Sequence, residues 1–190
     1  MKLTYTDNIE YMSNQVGVSH HQARQTLKEI RKYLQRQITK GFDIHIDGLC
    51  QIKYTITGVH VFKNGIITLT DIKEHTQTAL DKYDEYTTGV LVDTWIKHLI
   101  QSIERGYSVS ITGVATILLS QEGEQIMMSG RMSPQLKKPE FSDFVVLENG
   151  ELVLKVFKRE DLRLSMSLDE QLRLPARIRT GDTPSLNYLG

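Results

Sequence analysis

GYSVSITGVATI, residues 106–117, restates an earlier stretch of the same chain, GFDIHIDGLCQI, residues 41–52. Gly41 and Gly106 are 65 positions apart, and so are Gly48 and Gly113. The same offset holds backwards without a gap, pairing Leu27 with Val92, Ile30 with Trp95, Leu34 with Leu99 and Ile38 with Ile103. Forwards it pairs Phe42 with Tyr107, Ile44 with Val109, Ile46 with Ile111 and Ile52 with Ile117. Apolar positions stay apolar and both glycines hold register, which marks an internal repeat.

The first copy reads as a sequence of elements. Ala23, Leu27, Ile30, Leu34 and Ile38 fall at helical spacing and predict one apolar helix face. Ser19 with Gln22 three places on predicts a capping box at its start, and Gly41 predicts its end. Asp7–Gln15 predicts a shorter helix before it, with Ile9 and Met12 inward. After Gly41, apolar Phe42, Ile44 and Ile46 alternate with Asp43, His45 and Asp47, the period of a half-buried strand. Gly48 predicts a bend, residues 51–62 a second strand, Lys63-Asn64-Gly65 a turn, and residues 66–70 a returning third strand. The second copy predicts a helix over 71–82, a helix capped by Asp84 or a nearby Thr and running to Glu104 with Gly89 as a weak point, then strands from Tyr107 and about Thr116. FVVLENGELVLKVF, residues 144–157, predicts a hairpin about Asn149-Gly150, set either on the second copy's sheet or apart as a small module. The expected fold is α+β: residues 1–70 and 71–140 as two units, each two helices and a three-stranded antiparallel meander, then 141–190 as a hairpin and an extended tail.

This order of elements, with these residues, resembles the HU / integration host factor (IHF) family of bacterial and phage histone-like DNA-bending proteins, here in tandem. The similarity lies in GVSHHQARQTLKEI, where Val18, Ser19, Gln22 and Ala23 match the family's Leu-Ser-x-x-Gln-Ala helix start. It also lies in GLCQI and GVATI, where Gly48 and Gly113, Ile52 and Ile117 match Gly-Phe-Gly-Thr-Phe. It covers residues 3–70 well, 71–130 more weakly, and adds little past 140. The resemblance implies an interlocked dimer whose two β-arms reach around DNA, each tipped by Arg-Asn-Pro with the proline wedged between base pairs. A tandem chain would supply both subunits itself. The first copy's turn carries no such motif; in the second, GRMSPQ (130–135) offers Arg131 and Pro134 in its place, with one extra residue between them and no asparagine.

Charge bears on partners. The chain has 23 Lys and Arg against 23 Asp and Glu, so bulk attraction to phosphate is absent. The distribution is uneven: nine basic against five acidic residues over 1–70, four against nine over 71–130, ten against nine over 131–190. Arg24, Lys28, Lys32, Arg36 and Lys40, spaced by four, predict a basic band opposite the apolar helix face, suited to a polyanion or simply to solvent. The second copy carries Gly89, Asp93, Lys97, Gln101 and Arg105 at those places, so the fold does not require the band. The tail from Pro175 has little core signal; Leu186, Tyr188 and Leu189, with Arg173, Arg177 and Arg179, predict a partner-binding segment, with a second copy of the chain as one acidic partner.

Nothing points to catalysis. There is no phosphate-binding glycine loop, no paired cysteines and no His-x-x-x-His. The single cysteine, Cys50, sits among apolar residues and predicts a small core side chain. His45 and His60 could approach across a hairpin, but two histidines without a third ligand do not make a metal site. No membrane span or secretory signal is expected, which points to the cytoplasm, or to a virion if the chain is phage-encoded. The expected protein is a non-enzymatic module without cofactors that assembles with other protein chains, itself included, with DNA bending as the alternative.

Overall fold

The computed structural model describes residues 1–54, 64–133, 136, 141–148 and 151–158. In chain order the elements are α1 (Tyr5–Val16), α2 (His20–Thr39), β1 (Asp43–Ile46), β2 (Cys50–Tyr54), β3 (Ile66–Thr68), α3 (Leu69–Ala79), α4 (Glu85–Glu104), β4 (Val109–Ile111), β5 (Ala115–Glu122), β6 (Gln125–Met132), β7 (Phe141–Glu148) and β8 (Glu151–Lys158). The fold is α+β.

The repeat is visible in the backbone. Thr4 and Thr68 cap α1 and α3 with full capping boxes closed by Asp7 and Asp71. Ser19 and Asp84 cap α2 and α4, each accepting a hydrogen bond from a backbone N–H three residues on. At the other end, Gly41 and Gly106 both take left-handed φ, near +85° and +84°. Their N–H groups donate to Ile38 and Ile103, and the next N–H groups, of Phe42 and Tyr107, donate to Gln37 and Ser102. This is one C-terminal motif made twice, and it requires glycine because a Cβ crowds the following carbonyl at that φ. The α1-to-α3 offset is 64 and the α2-to-α4 offset is 65, so the link between the helices is one residue longer in the second half.

The halves do not fold side by side. Helix α1 packs on both α2 and α4, and α3 packs likewise on both α4 and α2. A 12-residue helix such as α1 is marginal alone in water, so its buried face must find partners. Ile9 and Met12 of α1 enter one hydrophobic cluster with Leu27, Ile30 and Leu34 of α2, Ile72 of α3, and Val92, Trp95 and Leu99 of α4. There is one shared core rather than one per half.

Strand pairing follows the same exchange and corrects the expected meander. Residues 66–68 do not return antiparallel beside β2; β3 runs parallel to β1, pairing Asp43 with Ile66 and His45 with Thr68, on the side away from β2. The reason is that Thr68 also caps α3, so β3 is the lead-in of the second half and its direction follows α3. The first half does the same thing in mirror fashion: Lys2 makes a parallel bridge to Ser108, and Leu3 N–H donates to the Ser108 carbonyl at 2.8 Å. Each half thus sends its leading strand to the other half's sheet.

The sheets are completed unequally. The second is β4-β5-β6, wholly antiparallel. In the first, order β3-β1-β2-β8-β7, the place beside β2 is taken by β8, which runs parallel to it. The expected hairpin over 144–157 forms, with Glu148 opposite Glu151, but it joins the first half's sheet instead of the second's. The remainder of the expected second strand, the turn residues Lys63, Asn149 and Gly150, and the tail lie outside the described residues. Gly89 is not a weak point in α4: the helix continues through it, and a Cβ there would come within 2.7 Å of the Gln77 side chain, so the glycine lets α3 approach.

Candidate functional site

Three surfaces of this body carry chemistry. The first is the outer face of α2. Arg24, Lys28, Lys32, Arg36 and Lys40 are all exposed, while Ala23, Leu27, Ile30, Leu34 and Ile38 are buried on the opposite side. Arg36 lies 4.0 Å from Glu29, whose carboxylate also meets His75 at 3.2 Å. Among the described residues Arg24, Lys28, Lys32 and Lys40 have no carboxylate partner. Lys32, Arg36 and Lys40 line an open groove of about 750 Å³ whose far wall includes Leu136, just beyond β6. At the corresponding place on α4, Asp93 is paired with Lys73 at 2.8 Å, so only one half presents a net basic helix.

The second surface is the β5–β6 hairpin. β4 pairs only with Ala115, Thr116 and Ile117, and the Leu119 N–H donates to Ser108 Oγ at 2.9 Å. From there to the turn only two strands remain, paired up to Glu122 with Gln125. The five residues per strand beyond β4, 118–122 and 125–129, make a two-stranded ribbon of roughly 16 Å. Its turn is Gly123 and Glu124, with Gly123 at φ +64°. Arg131, expected near an arm tip, instead lies in β6 opposite Thr116, at the base of the ribbon. The turn carries a carboxylate, Glu124, where a DNA-gripping arm needs cations. Pro134, Arg173, Arg177, Arg179, Leu186, Tyr188 and Leu189 lie outside the described residues.

The third surface is the seam between halves, which the sequence reading missed. Tyr11 of α1 stacks on His98 of α4, with centroids 3.9 Å apart and planes 3° from parallel. Tyr33 of α2 stacks on His75 of α3 at 4.1 Å and 10°. These are the same contact made twice with the residues exchanged, since Tyr11 corresponds to His75 and Tyr33 to His98. The His98 ring nitrogen Nδ1 lies 3.2 Å from Asn8 Oδ1, and burial pushes its pKa down, against the pull of nearby Asp7. Burial pushes the Tyr33 hydroxyl up, with Asp71 adding to it. Comparing the halves at offsets of 64 for the first helices and 65 for the second would have revealed the exchange; periodicity alone could not, because both residue types read as half-polar helix positions.

Two further side chains at the seam matter. Trp95 is fully buried, and its indole Nε1 has no hydrogen-bond partner. Leaving such a donor unpaired costs about 1–3 kcal/mol. Arg31 passes its stem over Gly113, where a Cβ would lie 2.5 Å from both Cγ and Cδ of Arg31.

Among the described residues no group of three His, Cys, Asp or Glu side chains is placed to hold a metal ion. His45 meets Asp47 and Gln51, each at 3.2 Å, and His60 lies outside the described residues. Cys50 is buried. No described helix is long and apolar enough to cross a membrane. Compared with models of known protein families, with curated proteins and with solved structures, the chain matches none.

Proposed function

We propose that this chain is a non-enzymatic, HU/IHF-like tandem module, a single-chain counterpart of the family's dimer, that mediates protein–protein assembly. The observation that carries the reading is a reciprocal contact: each half pairs its leading segment with the other's sheet and packs its first helix on both long helices, so one chain closes the body that the resembled family closes with two subunits. The zero net charge and the carboxylate of Glu124 at the hairpin turn favour protein partners over a wrapped duplex. In this reading the tail segment bearing Arg173, Arg177, Arg179, Leu186, Tyr188 and Leu189 engages another chain, and the setting is a phage virion or another nucleoprotein particle.

A second reading is that the chain is a DNA-binding architectural protein. The observation favouring it is the α2 groove with its unpaired lysines, which could lie along phosphates without using either arm. One pair of measurements separates the two. Sedimentation of the full chain, and of a chain lacking residues 175–190, reports assembly; anisotropy of labelled random duplex DNA over a salt series reports phosphate binding. The assembly reading expects concentration-dependent association that weakens on truncation, with circular dichroism unchanged. A monomeric full chain whose DNA affinity falls steeply with salt, and is lost on neutralising Arg24, Lys28, Lys32 and Arg36, overturns it in favour of DNA binding.

A further inference from the structure

The internal repeat supplies its own control for what the fold needs. At two seam positions one half has an apolar residue and the other a polar one, Ile72 corresponding to Asn8 and Ile96 to Arg31, and at a third Ile30 corresponds to the larger Trp95. Ile30, Ile72 and Ile96 are all buried, so an isoleucine at each place satisfies the packing. Their three counterparts converge on one cavity of about 460 Å³, between the start of α1, the middle of α2 and the β4 sheet. That volume lies in the range of small-molecule sites, roughly 300–1,000 Å³.

The residues that line it form a consistent set. Asn8 is spent locally, donating to the Thr4 carbonyl and meeting His98. Arg31 is half-buried and, among the described residues, has no carboxylate partner. Trp95 forms part of the wall, and its unpaired indole N–H is itself buried out of reach of solvent. Ser110 and Thr112 add hydroxyls, and Leu3 and Leu27 add apolar wall. Gly113 is what admits Arg31: with any Cβ there, its stem could not take this path. A guanidinium beside hydroxyls suits an anionic head of planar or tetrahedral oxygens. Leu3, only partly buried, suits an apolar body.

We propose that this cavity binds a small organic anion, a carboxylate or phosphate ester with an apolar portion, with Arg31 holding the charged head. The site is independent of the assembly and DNA readings.

Trp95 is the only tryptophan in the chain, so its fluorescence reports on this cavity alone. The full chain is titrated with benzoate, phenyl phosphate, inorganic phosphate and neutral benzamide, each to about 10 mM, a range that captures weak ligands. Benzoate or phenyl phosphate should change the emission saturably, with benzamide silent. Arg31→Ile, which installs the residue the other half already has, should weaken binding at least tenfold while circular dichroism stays unchanged; Arg31→Gln serves the same purpose if the isoleucine variant folds poorly. Silence of both aromatic anions, an equal response to benzamide, or undiminished binding in both Arg31 variants overturns the proposal. Inorganic phosphate binding as tightly as phenyl phosphate overturns the apolar portion.

Discussion

Gly113→Ala tests the interlock directly, because three glycines in comparable backbone conformations differ only in what surrounds them. Gly48, Gly106 and Gly113 have φ of +75°, +84° and +71°, so an alanine is strained at all three. That strain costs about 1–2 kcal/mol, offset in part by the lower entropy of the unfolded alanine chain, leaving about 1 kcal/mol. At Gly106 no atom lies within 4 Å of the added Cβ, and at Gly48 the nearest is Ile100 Cδ1 at 3.6 Å, an ordinary contact. At Gly113 the Cβ would sit 2.5 Å from the Arg31 stem and 2.8 Å from Gln35 Nε2, which also donates to the Gly113 carbonyl at 2.9 Å. Displacing a packed stem adds about 1–3 kcal/mol. The expected losses are therefore about 1 kcal/mol at positions 48 and 106 and about 3 kcal/mol at 113. For a chain of this size they correspond to falls in Tm of roughly 2–4 °C and 6–12 °C. Urea unfolding of the three single variants measures them. Repeating Gly113→Ala in an Arg31→Ala background should recover at least 1 kcal/mol of the loss, as a double-mutant cycle requires of touching residues. Equal losses at all three glycines, or no recovery without the Arg31 stem, would refute the reasoning, since Arg31 belongs to one half and Gly113 to the other.

Other outcomes follow from the seam and the caps. Exchanging one stacked pair, Tyr11→His with His98→Tyr, reproduces the order already found at His75 and Tyr33, so the double variant should lie within about 1 kcal/mol of the parent; a double variant no more stable than the worse single one would count against the equivalence. His98 has its pKa pushed down in the folded chain, first by burial and also by Arg105, so the unfolded chain takes up a proton near pH ~6.5 before the folded one does. Stability present above that pH should fall as the pH drops below it, and thermal scans from pH 7 to 5 should show a shallower decline for His98→Phe; identical slopes would contradict this. Thr68→Ala removes the side-chain acceptor of the α3 capping box and should cost about 1 kcal/mol by urea unfolding, with Thr78→Ala as an exposed comparison nearer the helix end; equal effects would deny the cap its role.

The sequence was informative wherever the cause of structure is local. Helix faces at Leu27, Leu34 and Leu99, the caps at Ser19 and Asp84, the terminating Gly41 and Gly106, and the alternating strands after them all follow from contacts within a few residues. The fixed offset also holds in space, because the same short-range rules act on both copies. The exposed band of Arg24, Lys28, Lys32, Arg36 and Lys40 was legible for the same reason.

What the sequence could not decide is which partner each element takes. The apolar face of α1 needs burial, and α2 of its own half or α4 of the other would serve it equally by pattern; the fold uses both. Three residues, Ile66–Thr68, are too few to fix a pairing, so their place beside β1 comes from α3, to which they are joined. β8 reaches β2 across a separation in sequence that no periodicity spans. The Tyr–His seam, the approach of Arg31 to Gly113 and the cavity beside Trp95 are all contacts between halves. Hydrophobic burial is non-directional and fixes that a face is covered, not by what. Only chain connectivity and close packing in three dimensions select the partner, and that selection, made here in the exchanged form, is where the candidate ligand site arises.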